Sequence, residues 1–372
     1  MRIFPNVFFV VIFISLATNA CAQSKIDLAK INLPPGFEIS VFARMPNARS
    51  MAVVPELNAV FVGNRQGSSV YMAIDADGDG RAEQVAQIAS GLTAPNGVAW
   101  KDGHLYIAEQ HRIFRVPVPD IKSIGSHKAE IIFTDLPNKS WHGWRYIAFD
   151  AKGRLHVTIG SPCNICKVAG NEGTIIRLPA NRAALNQYKI VARGVRNSVG
   201  LDFHPKTGEL FFTDNGADNL GDDVPPDELN HATGDDQHFG FPYFGGGTAR
   251  TPDFSNQRPP QSVTPPVVAF NAHVAALGIH FYRGNQFPAN YRTDAFVAQH
   301  GSWNRTVPDG YRVMRIRMDE NGRVIGKSVF ADGWLQRGSA WGRPVDVAEW
   351  TDGSLLVSDD RAGAIYRISY RK

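Results

Sequence analysis

Cysteine is scarce in this chain: 372 residues carry three, Cys21 near the N-terminus and a close pair in Cys163-Asn164-Ile165-Cys166. In an oxidising compartment such a pair reads as a local disulfide. A thioredoxin-like role would need a helix start in an α/β context, whereas this stretch lies in a Gly/Pro-rich strand connection. Lys167 stands where a c-type haem motif requires His, so no haem is attached there. A strong charge bias is missing too. The formal net charge is +4, with no basic stripe and no nucleic-acid-binding motif, so nucleic acid is not an expected partner. Beyond the first residues there is no apolar run long enough to span a bilayer, so no transmembrane segment is expected.

The N-terminus is the exception in composition. Met1 and Arg2 precede an apolar run from Val7 to Leu16, and Ala20-Cys21-Ala22 supplies a small-x-small cleavage pattern. Residues 1–22 therefore read as a cleaved export signal, placing the mature chain in the periplasm or outside the cell. A membrane anchor is disfavoured because Asn19 interrupts the run early. Acylation at Cys21 is the other use of this segment, but Thr18-Asn19-Ala20 is a poor approach to a lipidated cysteine.

What the chain has in quantity is punctuation. Its 35 Gly and 23 Pro are spread between short apolar runs, as in a turn-rich β protein. One unit recurs: a Gly or Asp turn, an alternating strand, a loop and a second strand. It appears at Val60–Gly63 with Val70–Ala73, at Gly103–Ala108 with Ile113–Val116, and at Gly153–Thr158 with Thr174–Arg177. It returns at Gly208–Thr213, at Ala295–Ala298 with Val313–Ile316, and at Gly353–Ser358 with Ala364–Arg367. Copies lie roughly 45 to 85 residues apart, the size of a four-stranded blade with its loops. A β-sandwich has similar strand spacing but no reason to repeat one pattern so regularly. The expected fold is all-β, a six-bladed β-propeller over residues 33–372. Gly36–Phe42 reads as an extra strand that joins the last blade and closes the ring. The long fourth interval is expected to hold insertions on the functional face.

Several segments fall between these repeats in a definite order. They are Trp141-His142-Gly143-Trp144-Arg145 ahead of Thr158-Ile159-Gly160, Gly194-Val195-Arg196-Asn197-Ser198, Thr213–Ala217 with Pro226–Asn230, Phe296–Arg305, and Gly342–Val347. Taken together they resemble the soluble PQQ-dependent sugar dehydrogenases, the glucose, aldose and sorbosone dehydrogenase-like quinoproteins.

The resemblance implies a PQQ- and Ca²⁺-dependent oxidation of a sugar or aldehyde, with electrons passed to an external acceptor. PQQ is a planar ortho-quinone with three carboxylates, which guanidinium groups meet in bidentate fashion. Arg196 and Arg343 are the expected cofactor cations, and Asn197 a neutral donor. His300, Asn304 and Arg305 complete the set, Arg305 standing in for a family lysine. His142 is the expected general base and Asp227 an acid near the substrate. The carbonyls of Gly216 and Ala217 are the expected calcium ligands, with Asp222 and Asp223 at a second, structural ion. The family pattern breaks at Trp141, Val199 and Val345, where an acid, a Gln and an Arg are usual, so the pocket should be less polar than a glucose site.

Two readings of other classes stay open: a six-bladed metal-dependent lactonase or esterase, and a non-catalytic binding propeller. A separate run, Asp75-Ala76-Asp77-Gly78-Asp79-Gly80, opens like an EF-hand loop but has Ala86 at its twelfth position. It fits a weak calcium site or a solvated acidic hairpin turn.

Overall fold

Central strands of the blades, such as Ala59–Val62 and Leu355–Asp359, are buried along their whole length, so both faces need cover, and stacking sheets around an axis provides it. The computed structural model describes residues 26–181 and 185–371, so the expected export signal over residues 1–22 lies outside the described residues. Six antiparallel sheets form the blades of a β-propeller. Blade 1 holds Met51–Val54, Ala59–Val62, Val70–Ile74 and Gln84–Ala89. Blade 2 holds Gly97–Lys101, His104–Ala108, Ile113–Pro117 and Glu130–Phe133. Blade 3 runs through Ile147–Phe149, Leu155–Ile159, Thr174–Leu178 and Lys189–Arg193. Blade 4 uses Leu201–Phe203, Leu210–Asp214, Pro226–Ala232 and Val268–Ala272. Blade 5 uses Ala276–Phe281, Ala295–Gln299, Arg312–Met318 and Val324–Ala331. Blade 6 joins Pro344–Glu349, Leu355–Asp359 and Ala364–Tyr370 to the N-terminal strand Phe37–Arg44.

The repeated unit marks the second and third strands of the blades. Its glycine sits in the turn after the first strand, and Gly153 (φ 71°) and Gly353 (φ 83°) adopt the left-handed conformation that turn needs. The first strands adjoin one another around the channel. Apolar clusters fill each seam between blades. Phe61 and Met72 of blade 1 pack with Leu105, Ile107 and Phe114 of blade 2, and Phe42 packs with Trp350 at the seam of blades 6 and 1. Each such side chain contributes about 1.5–3 kcal/mol on full burial.

Ring closure follows the expectation: Phe37–Arg44 pairs antiparallel with Ala364–Tyr370, Phe37 opposite Tyr370. Blade 4 corrects one detail. Pro226–Asn230 was expected in a loop but lies in that blade's third strand, pairing with Leu210–Asp214. The long interval then runs between the third and fourth strands. Its Gln237–His238 adds a parallel fifth strand to blade 3. The chain continues toward the functional end of the ring, where the Gly245 carbonyl accepts a hydrogen bond from Ala217 N at 2.6 Å. The insertion thus buttresses the loop Asn215–Asp218 from outside.

Candidate active site

At one end of the ring, the loops entering the first strands meet the loops between second and third strands. They enclose a cavity of about 560 Å³, within the usual range for a small-molecule site. Trp141–Trp144 reach it ahead of blade 3, Arg196–Asn197 ahead of blade 4, His273 and Ala275 ahead of blade 5, and Arg343 ahead of blade 6. Arg65, Asn215–Gly216 and His300–Asn304 enter from between second and third strands.

His142 is buried and takes a left-handed backbone conformation (φ 49°), a strained choice for a residue with a side chain. Its Nδ1 lies 3.0 Å from the Ser161 carbonyl oxygen and 3.2 Å from Ser161 Oγ. A carbonyl only accepts, so Nδ1 carries the proton and Nε2 keeps a free lone pair. Burial, then the Arg196 and Arg65 charges, hold the imidazole well below the ordinary 6.5, against the upward pull of Ser161. The group that orients this histidine is therefore a backbone carbonyl, and Trp141 in the acid's usual place points outward, 53% exposed. Gly160 lets the two loops approach: a Cβ there would meet His142 Cβ at 2.5 Å.

Cations wall the opposite side. Arg49 is buried and pairs with Asp360 at 2.8 Å, and Asp360 also accepts from His300 Nε2 at 2.8 Å. Despite burial, His300 and Arg49 hold the Asp360 carboxyl far below the carboxylate range, while burial pushes His300 down to about 4. Arg343 donates from Nε to the His300 carbonyl at 2.9 Å and from Nη2 to Gly301 O, and it has no carboxylate partner among the described residues. Arg65 lies 3.7 Å over the Trp144 ring, likewise without an ion pair among the described residues. Burial, then the Arg49 charge, lower it to about 10. Neither Arg49 nor Arg65 stood in a recognisable motif. Only the convergence of loops reveals them.

Arg196 is placed as expected but is already engaged. It bonds Asn164 O (3.0 Å), Asn164 Oδ1 (2.7 Å), Asn215 O (3.1 Å) and the Asp218 carboxylate (2.8 Å). Asp214 fastens the same segment from behind, accepting from the backbone N–H groups of Arg196 (2.8 Å) and Asn197 (2.5 Å). Asp227 lines the cavity, yet Gly216 N and Ala275 N donate to its two oxygens at 2.7 and 2.6 Å. It ties two loops together, and burial raises it to about 6. Asn304 reaches the cavity and contacts His273 Nδ1 at 3.4 Å.

Arg305, expected among the cofactor residues, does not converge there. Arg305 turns away to Asp222 O and to Asp223 Oδ1 at 3.5 Å, and Thr306 N caps the Asp222 carboxylate at 3.0 Å. Asp222 and Asp223 thus serve Arg305 and its neighbour rather than a shared ion. Gly216 lines the cavity, with Ala217 buried behind it. The cluster Asp75, Asp77, Asp79 and Glu83 brings its oxygens within 4.8 Å of one another at a turn of blade 1 on the far face of the ring. Those oxygens accept from the backbone N–H groups of Gly78, Gly80, Asp79, Arg81 and Ala76, the pattern of an acidic hairpin turn. The expected Cys163–Cys166 disulfide is present, with Cα atoms 6.1 Å apart.

Leu277 and Trp144 line the cavity, with Val199 and Val345 packed behind them as an apolar backing. Three pocket-lining atoms are buried without a hydrogen-bond partner: Trp144 Nε1, Asn215 Oδ1 and Asn304 Oδ1.

Comparison with known proteins agrees with this geometry. The TrAA12-like family description matches residues 31–244 and 226–371. An uncharacterized protein of Borreliella burgdorferi is 37% identical over 356 residues, spanning 92% of this chain and 91% of that one. Among solved structures, the calcium structure of Trichoderma reesei Carbohydrate-Active Enzymes Family AA12 superposes with TM-score 0.77 at 19% identity, covering 92% of this chain and 97% of that chain. The holo PQQ domain of Coprinopsis cinerea pyranose dehydrogenase gives 0.75 at 18% identity, covering 91% and 97%. The PQQ-bound aldose sugar dehydrogenase of Streptomyces coelicolor gives 0.62 at 16% identity, covering 91% and 100%. This chain belongs to the TrAA12-like family and shares the fold of these sugar dehydrogenases.

Proposed function

We propose that this chain is a PQQ- and Ca²⁺-dependent dehydrogenase that oxidises a sugar or a related aldehyde or alcohol. One observation carries the reading: a neutral, buried His142 shares its cavity with the guanidinium groups of Arg65 and Arg343, which have no carboxylate partner among the described residues. A cationic wall of this kind suits an anionic, multi-carboxylate ligand. The unpartnered Trp144 Nε1 and Asn304 Oδ1 ask for polar atoms in the same space. Arg65, Arg343 and Asn197 would hold the carboxylates and carbonyls of PQQ. Asn215 Oδ1, with the carbonyls of Gly216 and Ala217, offers the hard oxygen donors that calcium takes.

When bound, the quinone supplies the hydride acceptor, with calcium sharpening its electrophilic carbon. The chain's own part is to bind, orient and move a proton. His142 Nε2 takes the substrate hydroxyl proton as the carbon-bound hydrogen departs with its electron pair. The Ser161 carbonyl keeps Nδ1 protonated so that Nε2 stays basic. Leu277, backed by Val199 and Val345, gives the cavity an apolar patch that disfavours water beside the reacting groups. Trp141 and Trp303, 53% and 69% exposed at the rim, offer flat faces to the C–H side of a sugar ring. Electrons leave to an external acceptor. The Cys163–Cys166 disulfide supports an oxidising compartment. A lactonase would need free acids converging on a metal, and the carboxylates here, Asp218 and Asp227, are taken by Arg196 and by backbone amides.

The test is to add PQQ and Ca²⁺ to the purified apoprotein and look for a bound quinone absorption that bleaches with aldoses. No binding at micromolar PQQ would remove this reading.

A further inference from the structure

The Cys163–Cys166 pair lies between the second and third strands of blade 3, in a stretch without regular secondary structure from Gly160 to Asn171. Both edges of the active cavity are fastened to it. At its start, Ser161 N donates to the Arg196 carbonyl at 2.8 Å, and the Ser161 carbonyl accepts from His142 Nδ1. Ser161 Oγ is held in turn by donating to the Cys163 carbonyl at 2.8 Å. Inside the disulfide ring, Asn164 uses every polar atom of its side chain. Its Oδ1 accepts from Arg196 Nη2 (2.7 Å) and Asp218 N (2.8 Å), and its Nδ2 donates to the Asp218 carbonyl (3.0 Å). The Asn164 carbonyl accepts from Arg196 Nε at 3.0 Å. One short loop therefore sets the histidine's hydrogen bond and cages the arginine beside it.

We infer that the disulfide-closed loop Ser161–Cys166 is a positioning element, in which the Cys163–Cys166 bond holds Ser161 and Asn164 so that His142 keeps a single tautomer and Arg196 a single orientation. The physical reason is entropic. A loop with few backbone–backbone hydrogen bonds samples many conformations, and ordering each residue costs conformational entropy. Closing it covalently removes much of that freedom before any hydrogen bond forms. His142 and Arg196 reach the loop through five hydrogen bonds, counting those of Asn164 and Ser161 above, so freedom there passes directly to them. Only the kinetic consequence of this inference rests on the proposed function. The histidine's state does not.

The experiment uses the full chain as apoprotein, with ¹⁵N-labelled histidine, in wild type, Cys163→Ser/Cys166→Ser and Asn164→Ala. Two-bond ¹H–¹⁵N spectra give the tautomer of each ring and its titration. In wild type His142 is a pure Nδ1–H form whose ring stays neutral as pH falls through the ordinary 6.5. In both variants the pattern becomes a mixture of tautomers and the titration midpoint climbs back toward 6.5. Circular dichroism confirms that the strands persist. If the double variant does not fold, Asn164→Ala, which leaves the disulfide intact, decides on the same readout. An unchanged His142 pattern in a folded variant overturns the inference. In the PQQ-loaded enzyme, Asn164→Ala should lower kcat about tenfold with KM within twofold. A failure to bind PQQ would leave the histidine spectra intact, so the two proposals fail separately.

Discussion

Replacing Arg65 with Met should move ligand-free stability and cofactor affinity in opposite directions. Burial and the Arg49 charge lower the Arg65 guanidinium from 12.5 to about 10. That depression is equivalent to about 3 kcal/mol held against the charged form. Stacking on Trp144 at 3.7 Å returns about 0.5–2 kcal/mol. Met keeps an apolar stem over the indole and removes the charge, so the apoprotein should gain about 1–2 kcal/mol. For a chain of this length that is a rise in Tm of roughly 1–3 °C by calorimetry. The same change deletes charge-assisted hydrogen bonds to PQQ, worth about 1.5–3 kcal/mol, and affinity should fall roughly 10- to 150-fold in a fluorescence titration. A lower Tm together with wild-type affinity would refute the reasoning, because Arg65 would then be a structural strut.

Five further outcomes follow from the same geometry. His142→Gln should cost about 10²–10⁴ in kcat, the usual reach of a general base. Because the imidazole is held well below 6.5, wild-type kcat/KM should stay flat as pH falls through 6.5, and a midpoint at or above that value would contradict the assignment. Gly160→Ala places a methyl 2.5 Å from His142 Cβ, so activity should drop steeply while circular dichroism still reports β structure. Asp227→Asn turns an acceptor into a donor facing either Gly216 N or Ala275 N, and denaturant titration should read a loss of about 1.5–3 kcal/mol. Burial raises Asp214 to about 7 and Glu228 to about 8. A carboxyl with a raised folded pKa contributes stability present below its unfolded value and lost as pH climbs through the folded one. The wild-type apoprotein should therefore lose more Tm between pH 6.5 and pH 8 than Glu228→Gln, which has no carboxyl there to ionise.

The fold was legible because the second strands of most blades are short, largely apolar runs that follow a glycine turn, with a further apolar run after the next loop. Blade 4 hid its third strand, since Pro226–Ala232 opens with proline and buries Asp227, Glu228 and Asn230, which breaks the apolar signal. The site was legible where residues sit next to repeats, as with His142, Arg196 and Arg343. Arg305 was misplaced because sequence order carries no information on which way a side chain turns out of a loop, and Asp222–Asp223 draw it away. Arg65 and Arg49 escaped notice because nothing local distinguishes a turn arginine that faces a cavity. The partner of His142 is a main-chain oxygen, which no residue type announces.

The pairing of Phe37–Arg44 with Ala364–Tyr370 sets side by side two segments that lie far apart in the chain. Blades 1 to 5 can assemble as synthesis proceeds, but blade 6 and both of its seams wait for the final strand. An early-terminated chain would leave Phe42, Trp350 and the edge of Leu355–Asp359 open to solvent. That edge would invite aggregation or proteolysis. The closing pair thus ties two distant stretches of chain into one seam, so removing Ala364–Tyr370 should open the ring on both sides of blade 6 at once.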